Sequence, residues 1–136
     1  MYLLDTNVVS ELRKARPHGG VIAWLGSVST SQLYLCAFTL GELQAGAERT
    51  RRQDQKKATE IDAWIDEIPA VWEIISMNAP IFREWARLMA GKSDELFEDA
   101  MIAATARVRG FTVVTRNVKD FRHFHVEVLN PFSAAR

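Results

Sequence analysis

The expected fold is decided by the first ten residues, Met1-Tyr2-Leu3-Leu4-Asp5-Thr6-Asn7-Val8-Val9-Ser10, in which a short apolar run ends at a carboxylate. Tyr2 to Leu4 predict a buried strand, and Asp5 is a favoured residue at the start of a helix. This order predicts that Asp5 lies at the carboxyl end of a strand, the edge at which open α/β sheets bind ligands. A role as a simple helix cap also explains Asp5.

Strand-like and helix-like segments alternate along the rest of the chain. This alternation predicts a three-layer α/β/α sandwich with a central, mostly parallel sheet, formed by residues 1–136 as a single domain. The predicted strands cover 2–4, 33–36, 71–75, 111–115 and 125–129, and the predicted helices follow Asp5, include Val21 to Leu25, run from Thr39 to about Glu48, end at Pro69, and cover 79–89 and 95–109.

Composition excludes several classes of protein. The 136 residues are 48% hydrophobic and 25% charged with a net charge of zero, which is ordinary for a globular chain and unlike a general polyanion binder. The single cysteine, Cys36, excludes an internal disulfide and a cysteine-based zinc cluster. The apolar start is interrupted at Asp5 and Glu11, and no apolar run approaches transmembrane length. We therefore expect a soluble, cytoplasmic protein.

Asp99 is an acid on an apolar helix. It shares a helical face with Ile102, Ala103 and Ala106, so its side chain is expected to be enclosed. A buried carboxylate is costly unless it is paired, hydrogen-bonded or bound to a metal ion. The alternative is an acid near a helix N-terminus, stabilised by the helix dipole.

Two other polar sites occur where helices begin. Glu42 stands three residues after Thr39, the spacing of a capping box in which the glutamate reaches back to the Thr39 amide. Asn117 and Asp120 follow the strand predicted to end at Thr115, and either is also explained as a turn residue.

These residues indicate more together than singly. In a parallel sheet, Asp5 and Asn117 emerge at one edge, and the helix starts that carry Glu42 and Asp99 face that edge. Two carboxylates about 4 Å apart repel by roughly 4 kcal/mol at an effective dielectric near 20, and a divalent cation relieves the repulsion. All-oxygen ligands favour Mg²⁺ or Mn²⁺ over zinc, and such a site can activate water against a phosphodiester.

Four stretches together resemble a PIN domain, and their order resembles the VapC toxins of toxin–antitoxin pairs, including the FitB branch. They are Leu4-Asp5-Thr6-Asn7, Thr39-Leu40-Gly41-Glu42, Glu98-Asp99-Ala100-Met101-Ile102-Ala103-Ala104-Thr105-Ala106 and Val114-Thr115-Arg116-Asn117-Val118-Lys119-Asp120-Phe121, with Val128-Leu129-Asn130-Pro131 at the end.

The resemblance implies an endoribonuclease toxin that uses Mg²⁺, with Mn²⁺ as a substitute, to hydrolyse structured RNA such as tRNA or rRNA with a metal-activated water. It implies that Asp5 and Asp99 bind the metal ion and that Glu42 contributes directly or through water. Many relatives have Asp where this chain has Asn117, and Asp120 is a possible substitute. The implied supporting residues are Thr6 and Thr115.

The resemblance also implies a homodimer and a VapB-type antitoxin, which would join the toxin in a larger complex on operator DNA. For RNA binding, the basic residues that could contact phosphates are Arg116, Arg13 and Arg49, although basic residues are also common on solvated faces. Two alternatives remain open: a housekeeping nuclease for RNA maturation or DNA, and a non-catalytic binding module, which the uncharged Asn117 favours.

Overall fold

The computed structural model describes residues 1–133 and is built on a five-stranded sheet in the order β3-β2-β1-β4-β5. Every neighbouring pair of strands is parallel, so the predicted α/β sandwich is confirmed and its sheet is wholly parallel. The strand order reverses at β1, because β2 and β3 lie on one side of it and β4 and β5 on the other. The strands are β1 (Tyr2–Leu4), β2 (Leu33–Cys36), β3 (Glu73–Ile75), β4 (Thr112–Val114) and β5 (Val128–Leu129).

Seven α-helices of the described chain cover the two faces of the sheet, α1 to α4 on one face and α5 to α7 on the other. None of them is long and apolar enough to cross a membrane. The helices are α1 (Thr6–Glu11), α2 (Gly19–Ser27), α3 (Ala37–Arg51), α4 (Gln55–Val71), α5 (Ala79–Met89), α6 (Phe97–Arg109) and α7 (Val118–Phe121).

Successive side chains of each strand enter opposite halves of the core. Leu3 and Val113 pack with α5 and α6, whereas Leu4 and Val114 pack with the helices of the other face. All four side chains are fully buried, as the two-residue period of a strand covered on both faces requires. The apolar runs of β1 and β4 therefore fix the centre of the sheet, and with it the edge at which Asp5 emerges.

Most predicted helix and strand boundaries lie within a few residues of those observed, but one predicted helix end and one predicted strand start are wrong. Pro69 lies inside the last turn of α4, where the helix continues because Ile65 and Ile68 are anchored in the core. The last predicted strand shortens to β5 because His125 has a left-handed backbone, with φ of 52°, which a strand does not tolerate. Gly110, at φ of 71°, closes α6 as the sequence predicts.

Candidate active site

One cavity of about 430 Å³ lies at the carboxyl edge of β1 and β4, beside the reversal in strand order. Open α/β sheets bind their ligands at this position. The structure brings Asp5, Glu42, Asp99 and Asn117 to the lining of this cavity, together with Thr6 and Arg116. The remaining lining residues are Asn7, Ser10, Glu11, Lys14 and Glu98. We call this space the carboxylate cavity.

Asp5 is both a helix cap and a residue of the cavity. Its Oδ1 accepts a hydrogen bond from the Thr6 amide at 2.7 Å, which caps α1. Its Oδ2 accepts from Thr115 Oγ1 at 2.7 Å and from Asn7 Nδ2 at 3.1 Å. Burial, which leaves the residue 4% exposed, raises the pKa of Asp5 above its ordinary value although these hydrogen bonds oppose the shift.

Glu42 does not form the predicted capping box. Helix α3 begins at Ala37, two residues before Thr39, so Thr39 lies within the first turn and Cys36 takes the cap position. Glu42 Oε1 instead accepts a hydrogen bond from Thr6 Oγ1 at 2.5 Å. Burial, the shared hydrogen bond with Glu98 and the charge of Asp5 raise the pKa of Glu42 to about 7. The Glu42 side chain is therefore held at the cavity by a hydrogen bond from α1 and not by a capping interaction with the start of its own helix.

Asp99 lies in the first turn of α6, closer to the helix start than its sequence position suggested. A short 3₁₀ turn, Asp94–Leu96, replaces the first turn of the predicted helix, so α6 begins at Phe97. The Asp99 carboxylate is partly buried and accepts no hydrogen bond from residues 1–133. Burial and the charges of Asp5, Asp120 and Glu98 raise the pKa of Asp99 to about 6. The helix dipole stabilises a carboxylate at this position, yet Asp99 has no cationic partner in the described part of the chain.

Thr115 links the two central strands at the cavity. Its buried hydroxyl donates to Asp5 and accepts the Asn117 amide at 2.9 Å. Asn117 is exposed and lines the cavity, whereas Asp120 does not line it and acts on Asp99 only through its charge. Of the two candidates for the fourth site residue, the structure thus places Asn117 in the cavity.

Two residues that the sequence did not single out join the site. Asn7 Nδ2 contacts Asp5 and also lies 3.3 Å from Thr115 Oγ1, while its Oδ1 accepts the Arg116 amide at 3.2 Å. Glu98 lines the cavity and shares a hydrogen bond with Glu42. Asn7 was visible within the motif that begins at Leu4, but Glu98 was indistinguishable from an ordinary helix-start acid.

The three predicted RNA-binding arginines separate into two places. Arg116 lies on the rim of the carboxylate cavity, with its Cζ 3.7 Å from the centre of the Phe132 ring. Arg13 and Arg49 do not line that cavity. They line an adjoining cavity of about 360 Å³, which we call the arginine groove; its other lining residues are Thr6, Ser10, Glu42, Leu43, Gly46, Ala47, Thr50, Ile61 and Trp64.

The donor chemistry of the carboxylate cavity suits a hard divalent cation. Asp5, Glu42 and Asp99 have raised pKa values, and none forms an ion pair with a lysine or arginine among residues 1–133. In the same residues, no three acidic, histidine or cysteine side chains are already arranged around a metal position. Because Mg²⁺ takes one or two protein carboxylates and keeps several waters, the oxygen donors of this cavity suit it.

Comparison with known proteins assigns the chain to one family. Residues 2–126 match the PIN domain. VapC ribonuclease Y4jK of Sinorhizobium fredii is 34% identical, over 99% of this chain and 100% of the relative. Toxin FitB of Neisseria gonorrhoeae is 31% identical, over 97% of this chain and 99% of the relative. The crystal structure of FitAcB from the same organism superimposes with a TM-score of 0.83 and covers 97% of this chain and 99% of the other.

An α/β/α sandwich with clustered acids at the carboxyl edge of a parallel sheet defines the class of the protein. The chain belongs to the PIN domain family.

Proposed function

We propose that the protein is an endoribonuclease that depends on Mg²⁺ or Mn²⁺ and acts as the toxin of a VapBC-type pair. The observation that carries this proposal is the convergence of Asp5, Glu42 and Asp99 on one cavity at the carboxyl edge of the sheet. All three have raised pKa values and form no ion pair within residues 1–133. Relatives named as ribonucleases and toxins over nearly the whole chain support the reaction and the role.

In this proposal Asp5 and Asp99 hold the cation and Glu42 completes the acidic set directly or through water. The bound cation would lower the pKa of a water and stabilise charge that develops on the phosphodiester. Thr115 and Thr6 position the carboxylates of Asp5 and Glu42 through their hydroxyl groups. Asn117 offers a neutral amide oxygen at the same cavity, so it orients a ligand without adding charge.

Arg116 on the rim of the carboxylate cavity, and Arg13 and Arg49 in the adjoining groove, would bind the phosphates that flank the cleaved bond. These cations offset the acidic cavity, which would otherwise repel RNA in a chain whose net charge is zero. Phosphate contacts position a nucleic acid without reading its sequence. The shape of the surface, and not these phosphate contacts, would therefore determine which structured RNA, such as tRNA or rRNA, is the substrate.

The proposal includes a VapB-type antitoxin, a homodimer of this chain and a larger complex on operator DNA in the cytoplasm. Two structural relatives support the protein partner and the complex on DNA, because one is FitAcB and another is FitAB bound to a DNA fragment, with a TM-score of 0.83 at 31% identity. A housekeeping nuclease with the same site is the alternative. Expression of the chain alone distinguishes the two, since only a toxin arrests growth in a way that the neighbouring antitoxin gene relieves.

The direct test is cleavage of total bacterial RNA by the purified, antitoxin-free protein in Mn²⁺, in Mg²⁺ and in EDTA. We expect discrete fragments with either cation and intact RNA in EDTA. Intact RNA under all three conditions would contradict the nuclease proposal. Equal cleavage in EDTA would contradict its dependence on a cation.

A further inference from the structure

The arginine groove adjoins the carboxylate cavity but is lined by arginines and apolar side chains, whereas the cavity is lined mainly by acidic and polar ones. Thr6, Ser10 and Glu42 line both spaces. A linear ligand that places one group at the carboxylates can therefore continue past Glu42 into the groove. Since the groove has about 360 Å³ of space, it can hold a group of several heavy atoms beyond a single ion.

The rim of the groove carries two positive charges that the described chain leaves unneutralised. Arg13 and Arg49 form no ion pair within residues 1–133, whereas Arg51, two residues from Arg49, contacts both Glu48 and Asp62. Glu42, at the shared mouth, is the single acid among the lining residues. Arg49 lies against α3 at Gly46, where its Nη2 is 3.6 Å from the position that a Cβ would occupy. The rim is thus suited to an anion.

The floor of the groove is apolar and includes an indole. Leu43, Ala47, Ile61 and Trp64 line it, and Trp64 is only partly buried. An aromatic side chain and arginines that line the same groove are the combination with which proteins bind single-stranded nucleic acid, because bases stack on the ring while the cations follow the phosphates. Duplex RNA keeps its bases stacked inside the helix, so it could not place one on Trp64.

We propose that the arginine groove binds one unpaired nucleotide next to the cleaved bond, with its phosphate at Arg13 and Arg49 and its base against Trp64. This proposal rests on the proposed ribonuclease function and adds to it a binding subsite for the nucleotide next to the cleaved bond. In this proposal the groove binds the RNA and sets which phosphodiester lies at the carboxylates, while the carboxylates take part in cleaving that bond.

The test measures binding separately from cleavage. A fluorescein-labelled hexaadenylate is titrated with the full chain in EDTA at several salt concentrations, and fluorescence anisotropy gives the affinity. We expect Arg13→Gln and Arg49→Gln each to weaken binding and to reduce the slope of log affinity against log salt by about 0.7, the value for one contact to single-stranded phosphate. Trp64→Leu should weaken binding by about 5- to 150-fold without a change of slope, since it removes stacking.

Three controls make the result specific. Arg83→Gln removes an exposed charge on α5, on the other face of the sheet, and should leave affinity and slope unchanged. Trp64→Phe keeps an aromatic ring in the same core and should retain most of the affinity, which separates stacking from folding. An abasic hexamer, which keeps the sugar-phosphate backbone but has no bases, should bind to wild type and to Trp64→Leu with equal affinity. Thermal melting of each variant verifies that it is folded.

Several results would overturn the proposal. One is that the unmodified protein fails to bind hexaadenylate at concentrations up to about 1 mM, which is weaker than ordinary non-specific binding. Another is that wild type and all three groove variants have equal affinities and equal salt slopes. Loss of antitoxin binding with unchanged RNA affinity would instead assign the groove to a protein partner. Full cleavage of total RNA by the groove variants would refute the groove proposal and leave the ribonuclease proposal standing. Binding of hexaadenylate that depends on the groove residues, with no cleavage of total RNA in Mn²⁺ or Mg²⁺, would refute the ribonuclease proposal and leave the groove standing as a nucleotide-binding site.

Discussion

Two groups of acids in this molecule have opposite electrostatic environments. Glu84 on α5 pairs with Arg107 Nε at 2.6 Å and with Arg87 Nη1 at 2.9 Å, and the hydrogen bond from Arg107 holds its pKa below the usual range. Asp5 and Asp99, in the carboxylate cavity, have no such partner among residues 1–133, and burial raises their pKa values. The Glu84 arrangement is complete within the chain. In the proposed function, a bound cation would complete the arrangement of Asp5 and Asp99.

The difference shows why the unpaired acids are the better guide to function. A paired surface acid stabilises the fold modestly and needs nothing further. Clustered, desolvated acids destabilise it in the absence of a ligand, because each charge is partly removed from water and faces others of the same sign. The four predictions below test this contrast, beginning with the largest expected effect.

Asp99→Asn should lower RNA cleavage in Mg²⁺ by more than about 100-fold, the upper end of the cost of losing a supporting partner of a metal ligand. It should also raise the melting temperature in EDTA, because the amide removes a charge without removing a hydrogen bond. Cleavage rates and thermal melts of the same preparation measure both effects. Glu84→Gln is the matched control and should keep cleavage while lowering stability. Undiminished cleavage by Asp99→Asn would remove it from the proposed site.

A divalent cation should stabilise the unmodified protein and not Asp99→Asn. A ligand that binds only the folded state adds about 2.7 kcal/mol when its concentration is 100 times its dissociation constant. Melting temperatures measured against Mg²⁺ or Mn²⁺ concentration should therefore rise for wild type, and isothermal titration should give a matching affinity. Equal shifts in both proteins would assign the effect to general ion binding.

The pH dependence of stability in EDTA should be opposite for the two groups of acids. Folding raises the pKa of Glu42 from 4.5 to about 7 and that of Asp99 from 3.8 to about 6, so the folded state binds more protons than the unfolded state between about pH 4 and 7. The free energy of unfolding should therefore fall as pH rises through this window and level off above it. Glu84, whose pKa is lowered, loses its contribution only below about pH 4.5.

Urea unfolding at pH values from 5 to 8 measures this slope. Glu42→Gln removes one of the acids with a raised pKa and should flatten the fall, whereas Glu84→Gln should leave it unchanged in this window. Stability that rises between pH 5 and 7 in EDTA would contradict the raised pKa values.

The smallest expected effect belongs to the paired acid. Glu84→Gln should lower the free energy of unfolding at pH 7 by about 0.5–1 kcal/mol, because partly exposed ion pairs contribute little. Urea unfolding resolves a change of this size when wild type and variant are measured together. A rise in stability would show that the desolvation of Glu84, like that of the acids of the cavity, costs more free energy than its two ion pairs contribute.

Much of the fold follows from local sequence pattern. The apolar run before Asp5 and the strand before Thr115 predicted two strands with a polar edge, and Gly110 marked the end of α6. Prediction failed where tertiary contacts override a local signal. Thr39 and Glu42 have capping-box spacing, but a hydroxyl from α1 engages Glu42 because the fold brings Thr6 within 2.5 Å.

The sequence by itself determined the parallel α/β architecture and nominated Asp5, Glu42, Asp99 and Asn117, because strand and helix periodicity and the positions of acids are local properties. The tertiary structure alone decided that Glu98 and Asn7 join the cavity, that Asp120 stays outside its lining, and that Arg13 and Arg49 border a separate groove. These relations join residues as far apart as Asn7 and Thr115, and such proximity depends on how the strands are ordered and the helices packed.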